Sequence, residues 1–319
     1  MDILTQVEAV EKALKSLGYP STRIPFTKNL ESSIQLLNGE GVDIALNLCE
    51  SVDEDPRFAG HPAAVLELLG IPFSGSPSVA LTLTTDKLLA KRLMMANGTS
   101  TPRYMVYIGQ EKFNTATLRF PVIIKPRFED ASIGIDQESI FEEEEKLRRG
   151  LKDFNKRFGP LLVEEYIEGR EFNISLLGSP IAKVLPPAEI DFSAFPERLY
   201  PIVGYRAKWD KNSFEYNHTP RVFPDDLPQG LLEKLKDTAM HCFYLFQLRD
   251  YGRVDMRVDA HGKVYALEVN ANPCLSPDAG FAAASYKLGM EYSEMVSRLV
   301  NYTIQRTVNN DHKASHLSG

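Results

Sequence analysis

The sequence predicts an α/β protein, with a parallel sheet near its start and α+β character in its C-terminal half. Three observations lead there. Short apolar, β-prone runs alternate with stretches of helical period in the first part of the chain, the order expected of strands joined by crossover helices. Glycine and proline punctuate these runs where elements have to end. Beyond Gly169 the runs are mostly strand-like, with one long amphipathic helix among them.

The first helix covers residues 2 to 17, with Ile3, Val7, Val10, Ala13 and Leu14 on one face and Gly18 as its stop. TRIPF and VDIALNL read as short strands, followed by the loop CESVDEDPRFAGHP. Pro62 opens a helix, PAAVLELLG, that Gly70 closes. IPFSG is the next strand. A sheet of this kind usually begins with a strand, so the opening helix suggests that a first strand is missing. Thr85 and Asp86 cap a helix from Lys87 to Ala96, ended by Asn97-Gly98. YMVYI and FPVIIKP are strands, RFEDASIGID is a polar loop, and a charged helix runs from about Ser139 to Phe158. Its EEEEKLRR run is a solvated face with pairs such as Glu142–Lys146. LLVEEYI, EFNISLLG, IAKVLPPAEI, GRVDMRV and KVYALEVN are further strands. The helix Leu231 to Phe246 turns Leu232, Leu235, Ala239, Cys242, Phe243 and Phe246 to the core. A last helix spans about Ser285 to Val300, and the polar stretch from 307 to 319 is expected to be disordered.

A length of 319 residues suffices for two or three domains. Net charge is -7, from 36 basic and 43 acidic side chains, which argues against a dedicated nucleic-acid or anionic-membrane surface. No apolar run is long enough to span a bilayer, and the acidic, periodic N-terminus is not a secretory signal. Three cysteines, Cys49, Cys242 and Cys274, without CxxC spacing fit a reducing cytoplasm better than a disulfide framework. P-loop, GxGxxG and GxSxG signatures do not occur, and the six histidines show no metal spacing.

The chemistry lies in two successive strands. Side chains two apart share a strand face, so Glu268 and Asn270 point one way, as do Arg253, Asp255 and Arg257. The turn VDAHGKV makes the two strands a hairpin. If their polar faces coincide, Asp255, Glu268 and Asn270 form an all-oxygen cluster beside Arg253. Hard oxygen donors suit magnesium, and an arginine suits a phosphoryl or acyl-phosphate oxygen. An ordinary solvated hairpin face accounts for Arg257 at least as well. Lys125 ends an apolar strand and is a candidate phosphate ligand, although a lone lysine there more often only snorkels. The small residues of the loop behind it suit a mobile flap. Lys87 sits in the first turn of its helix, a poor electrostatic location for a cation and a hint of function. In LLVEEYIEGREF a strand edge could offer backbone groups to adenine and Glu171 could accept from ribose hydroxyls, although the segment taken alone reads better as an interdomain crossover with solvated acids.

Taken in order, LLGIPFSGSPSVALTLTTDKLLAK, FPVIIKP, LLVEEYIEGREFNISLLG, YRAKW, GRVDMRVDAHGKVYALEVNANP and ASYKLGMEYSEMVSRLV resemble the ATP-grasp superfamily, most closely the D-alanine–D-alanine ligases. The resemblance covers nearly the whole chain and is specific as a series. It implies a three-domain ATP-grasp architecture: an N-terminal α/β domain over 1–79, a central ATP-binding subdomain over 80–167 and a C-terminal domain over 168–306. It implies ATP and two magnesium ions, with manganese as an alternative, held by Asp255, Glu268 and Asn270. Lys87, Lys125 and Lys208 would contact phosphates, Glu164, Glu165 and Ile167 would line the adenine, and Glu171 the ribose. Arg253 would stabilise an acyl phosphate, with Ser132 of the flap in the catalytic set. The substrates would be a small carboxylate and an amine, and a homodimer is an open expectation. Departures cluster on the substrate side. Cys49-Glu50-Ser51 and Asp53-Glu54-Asp55 replace the family's His-Gly and Glu-Asp-Gly elements, and Glu129-Asp130-Ala131-Ser132 replaces Glu-Gly-Ser-Ser. Ala279 stands where the serine for the second substrate's carboxylate is expected, and Trp209 replaces the tyrosine after the lysine. The expectation is therefore a ligase whose substrates differ from two D-alanines. Authentic D-alanine–D-alanine ligation and a nucleotide-binding protein without turnover are the alternatives.

Overall fold

A computed structural model describes residues 3–110 and 113–317. Its N-terminal segment holds α1 (Ile3–Ser16), α2 (Leu30–Gly39), β1 (Ala45–Leu46), α3 (His61–Leu69), β2 (Phe73–Ser74), α4 (Ser78–Thr85) and α5 (Lys87–Ala96). β1 and β2 pair in parallel, with Ala45 opposite Phe73. TRIPF is not a strand. It carries Pro25 and follows Pro20, each of which lacks a ladder donor. The sequence reading also passed over α2, although Asn29 caps it by accepting from the Ser32 N–H, and over α4. Gly70 closes α3 at φ 68°, in the left-handed region that glycine adopts without cost. Asp86 caps α5 through the Leu88 and Leu89 N–H groups.

The central segment contains β3 (Tyr104–Tyr107), β4 (Val122–Pro126), β5 (Ile140–Phe141), α6 (Glu144–Phe158) and β6 (Leu161–Glu165). The strands form an antiparallel sheet in the order β3-β6-β4-β5. The charged helix begins five residues later than its sequence suggests. Ile140 and Phe141 instead pair with Ile123 and Val122, and the Phe141 ring fills the space that a side chain at Gly150 would occupy. The expected Glu142–Lys146 pair is also replaced. Lys146 pairs with Glu143 at 3.1 Å, whereas Glu142 accepts from the Tyr200 hydroxyl at 2.7 Å.

The remainder contains β7 (Arg170–Gly178), β8 (Lys183–Val184), β9 (Ala188–Ile190), α7 (Tyr205–Trp209), α8 (Phe214–Asn217), β10 (Arg221–Val222), α9 (Gln229–Leu245), β11 (Asp250–Val258), β12 (Val264–Asn270), α10 (Gly280–Lys287) and α11 (Tyr292–Leu317). Its six-stranded sheet runs β10-β9-β7-β11-β12, with β8 against β7. The single last helix of the sequence reading is two helices. Gly289 at φ 81° separates them. The second continues to Leu317, through the stretch expected to be disordered from 307, and no glycine or proline interrupts it.

Alternation along β7 and β11 puts Phe172, Ile174, Val254 and Met256 on one sheet face, where Leu235, Ala239 and Phe243 of α9 cover them. The same core takes in Leu37, Leu66, Phe73 and Met94, so the N-terminal helices lie directly on the large sheet. Burying these side chains contributes about 1.5–3 kcal/mol each. Asp250, fully buried, accepts from the Gly75 N–H at 2.8 Å and pairs with Arg306, tying β2 to β11 and α11. On the opposite face, Leu177 and Tyr251 pack into a second core with α1, α10 and α11, whereas Glu171, Asn173, Arg253, Asp255 and Arg257 make a polar surface that faces the cavity described next.

Candidate functional site

Register decides whether the polar residues meet. Arg253 lies opposite Asn270, and Asp255 lies opposite Glu268 on one side and Asn173 on the other. Asp255, Glu268, Asn270 and Arg253 therefore share the polar face, as the hairpin reading required. One feature escaped strict alternation: Met256 pairs with Ala266, so Leu267 is an extra residue, a β-bulge. The bulge turns both Leu267 and Glu268 into the cavity. Its only sequence trace is that ALEVN cannot be read in a single period.

The cavity, about 960 Å³, lies between the large sheet and the central sheet. Ile123, Lys125 and Glu164 come from β4 and β6, Lys208 and Trp209 from α7, and the flap closes over the top. The flap holds two residues in left-handed conformations, Ala131 at φ 55° and Ser132 at φ 63°, which cost non-glycine residues energy and need tertiary support. Three contacts supply it. Ser132 Oγ donates to the Val203 carbonyl at 2.7 Å, Trp209 Nε1 donates to the Ala131 carbonyl at 3.0 Å, and Lys87 Nζ donates to the Glu129 carbonyl.

Charges inside are arranged in linked pairs. Lys87 Nζ is 3.4 Å from Glu268 Oε1 and 3.4 Å from Asp130 Oδ1. Burial would raise the Glu268 carboxyl, but Lys87, Lys208 and Lys125 hold it down at about 2. Neighbouring Asp130, with a side chain still 44% exposed, has its carboxyl raised by partial desolvation and by Glu268, against the pull of Lys87. Glu164 lies between Lys125, at 2.9 Å, and Lys91, at 3.2 Å, and is held below the usual carboxylate range by those two ammonium groups against the effect of burial. Lys91 itself, 1% exposed, is pushed down to about 8 by burial. Sequence reasoning missed Lys91 and Asp130 as participants. Lys91 lies one helical turn after Lys87, and that i,i+4 spacing was the available signal. Lys208, lowered by burial and by Arg253, completes the set of cations around Glu268.

Arg253 forms a bidentate pair with Asp255 at 2.7 and 2.9 Å, and the Asn173 amide donates to Asp255 at 2.9 Å. Asn270 Oδ1 accepts from the Asn272 N–H at 3.0 Å, which fixes its oxygen. A carboxylate has about four acceptor positions, so Asp255 retains one and Glu268 more. Among the described residues no group of three or more His, Cys, Asp or Glu is arranged to hold a metal. Two carboxylates and one amide nevertheless fit magnesium, which completes its shell with water and phosphate oxygens rather than with an all-protein cage.

Arg257 departs from the solvated face that the sequence reading gave at least equal weight. It is 3% exposed and bonds to Glu171 at 2.8 Å, the Tyr166 hydroxyl at 3.0 Å and the Ile167 carbonyl at 2.9 Å. These bonds fix Glu171 and Ile167 at the cavity wall. Glu164 and Glu165 project to opposite sides of β6. The Glu165 carboxylate binds the Arg119 N–H and guanidinium at 3.0 and 2.8 Å rather than a group in the cavity centre.

The sequence model described as D-ala D-ala ligase C-terminus matches residues 94–301. A D-alanine--D-alanine ligase of Carboxydothermus hydrogenoformans is 31% identical over 304 residues, covering 92% of this chain and 90% of that protein. The corresponding ligase of Aquifex aeolicus is 29% identical over 294 residues, covering 92% of each. An uncharacterized protein of Sinorhizobium fredii, y4sG, is 32% identical over 311 residues, covering 95% of this chain and 88% of its own. A crystal structure of the Bacillus anthracis D-alanine--D-alanine ligase complexed with ATP superposes with a TM-score of 0.74 at 21% identity, covering 96% of this chain and 94% of that one. With the shared fold, the match over most of its length and the charged cavity between two sheets, this chain belongs to the D-alanine–D-alanine ligase family of ATP-grasp, ATP-dependent ligases.

Proposed function

We propose that the chain joins a small carboxylate to an amine through an acyl phosphate, forming a carbon–nitrogen bond, with substrates other than two D-alanines. The observation carrying this reading is that Asp255, Glu268 and Asn270 share one face and line the cavity that also holds Lys125 and Lys208, with Lys87 3.4 Å from Glu268. The apolar Ile123 and Leu267 suit the faces of a purine, and the backbone from Glu165 to Ile167 suits its edge. Glu171, held by Arg257, suits ribose hydroxyls. Lys87, Lys125 and Lys208 would exchange part of their carboxylate contacts for phosphate oxygens, so that the positive field is in place before the γ-phosphate moves. Asp255, Glu268 and Asn270 would hold magnesium or manganese, which neutralises charge on the transferring phosphoryl group.

In the first step a carboxylate oxygen attacks the γ-phosphorus and ADP leaves. In the second an amine attacks the acyl carbon, inorganic phosphate leaves and the ammonium proton is lost. Arg253, on the same face as the donors, would stabilise the acyl-phosphate oxygens, and the flap carrying Ser132 would exclude water; both residues line the cavity, which supports this reading.

Support for a different substrate pair comes from the other end of the cavity. Ala279 offers α10 no side-chain cap, and Cys49 and Glu50 line the wall in place of the family's elements. The test is ADP release with a panel of D- and L-amino acids and dipeptides as carboxylate and amine. Turnover on a pair other than D-alanine with itself is expected. Strong turnover with D-alanine alone would overturn the substrate assignment, and nucleotide binding without turnover on any pair would overturn the ligase reading.

A further inference from the structure

Arg221 is absent from the residues singled out above, yet it lines the same cavity. Its Nε is buried and has no hydrogen-bond partner among the described residues. Leaving a buried donor unmatched costs about 1–3 kcal/mol, more for a charged group, so the unmatched Nε of this half-buried guanidinium, in the wall of a ligand cavity, points to a ligand. Burial and the nearby Arg253 both work against its charge, while Asp278 and Asp255 favour it without pairing directly. The side chain reaches from β10, the outermost strand of the large sheet, to the first turn of α10. There Nη2, Nε and Cζ lie 3.3, 3.4 and 3.5 Å from where a β-carbon of residue 280 would sit, so glycine is what leaves the guanidinium room. Ala279 at the N-cap has no side chain able to accept from or donate to anything at that helix start.

Resting on the ligase reading, we infer that Arg221 binds the carboxylate of the amine-bearing substrate, against the N-terminal turn of α10. It takes the role that the family pattern would give to a serine at position 279. The two devices differ in chemistry. A hydroxyl gives one neutral hydrogen bond, whereas a guanidinium gives two charge-assisted ones and requires an anion. The acceptor is therefore an amino acid or short peptide with a free carboxylate. An amide or ester of the same compound leaves the buried Nε without an anionic partner, a loss that hydrogen-bonded sites convert into strong discrimination.

The experiment compares the wild type with Arg221→Ala and Arg221→Lys. Each free amino acid of the panel is set against its C-terminal amide as acceptor, by ADP release and by calorimetric binding with a non-hydrolysable ATP analogue present. In the wild type the acid should be preferred over the amide by at least about 10-fold in kcat/KM. In Arg221→Ala the KM for the acid should rise about 10-fold or more, that for the amide should barely change, and affinity for the ATP analogue should stay within about two-fold. Arg221→Lys should recover part of the preference, since a lysine keeps the charge but not the fork. An acid-to-amide ratio equal in wild type and Arg221→Ala would overturn the assignment. If no pair releases ADP but acid binding is still lost in Arg221→Ala, Arg221 keeps its role and the ligase reading falls. If the wild type neither turns over nor binds any acid, both fall.

Discussion

At the end of the cavity proposed for the nucleotide, Lys87, Lys91 and Lys125 each have a carboxylate within 3.4 Å, and Glu268 and Glu164 are held ionised by the lysines around them. At the end proposed for the acceptor, Arg221 Nε is buried with no partner among the described residues and Ala279 gives α10 no side-chain cap. The first arrangement can exchange carboxylate for phosphate at nearly constant local charge, which keeps reorganisation small during phosphoryl transfer. The second leaves a charge unmatched until a ligand arrives, and that is where discrimination between substrates is strongest. On the proposed reading, the chemistry shared with the family sits in pre-paired charges, and the individual character of this chain sits in the unpaired one.

Breaking the nucleotide end should have the largest effect. Glu268→Gln keeps shape and removes a charged metal donor; ADP release should fall by roughly 10²–10³-fold while circular dichroism and Tm stay near wild type. Normal turnover would remove Glu268 from the site. Lys125→Ala leaves Glu164 with Lys91 alone, at 1% exposure; stability in urea should fall by about 3 kcal/mol, with weaker binding of ATP. An unchanged denaturation midpoint together with unchanged nucleotide affinity would show that the pair is not a unit.

The pH dependence sharpens the contrast between paired and unpaired cations. The folded Lys91 is lowered from 10.5 to about 8, so between those values the unfolded state binds more protons. Its contribution therefore makes stability rise with pH across that window, by at most about 3 kcal/mol. The difference in stability between pH 8 and pH 10 should shrink in Lys91→Met, and an identical pH profile would contradict the assignment. The smallest effect belongs to exposed pairs. Glu145→Ala removes the partner of Arg149 on α6, where both side chains are over 70% exposed, and should shift stability by less than about 0.5 kcal/mol.

Much of this was readable before any coordinates. The caps at Asp86 and Gly70, the hairpin through Gly262, and the shared face of Arg253, Asp255, Glu268 and Asn270 follow from local chemistry and from a strand period of two. TRIPF misled because its β-prone residues find no ladder partner, and Ile140-Phe141 misled because a neighbouring strand claimed residues that helical period could also use.

What the sequence determined by itself was the inventory: which residue types stand at which strand positions, and hence the oxygen donors and cations available for ATP chemistry. Tertiary structure alone decided how they pair. The placement of Glu164 between lysines from α5 and β4, the burial of Arg257 and the approach of Arg221 to Gly280 each join segments far apart in the chain, and the bulge at Leu267 resets the register of a hairpin that strand period alone describes as regular. Local periodicity records the face on which a side chain stands; which distant group meets it there depends on register and packing, and on the strong dependence of charge interactions on separation and burial.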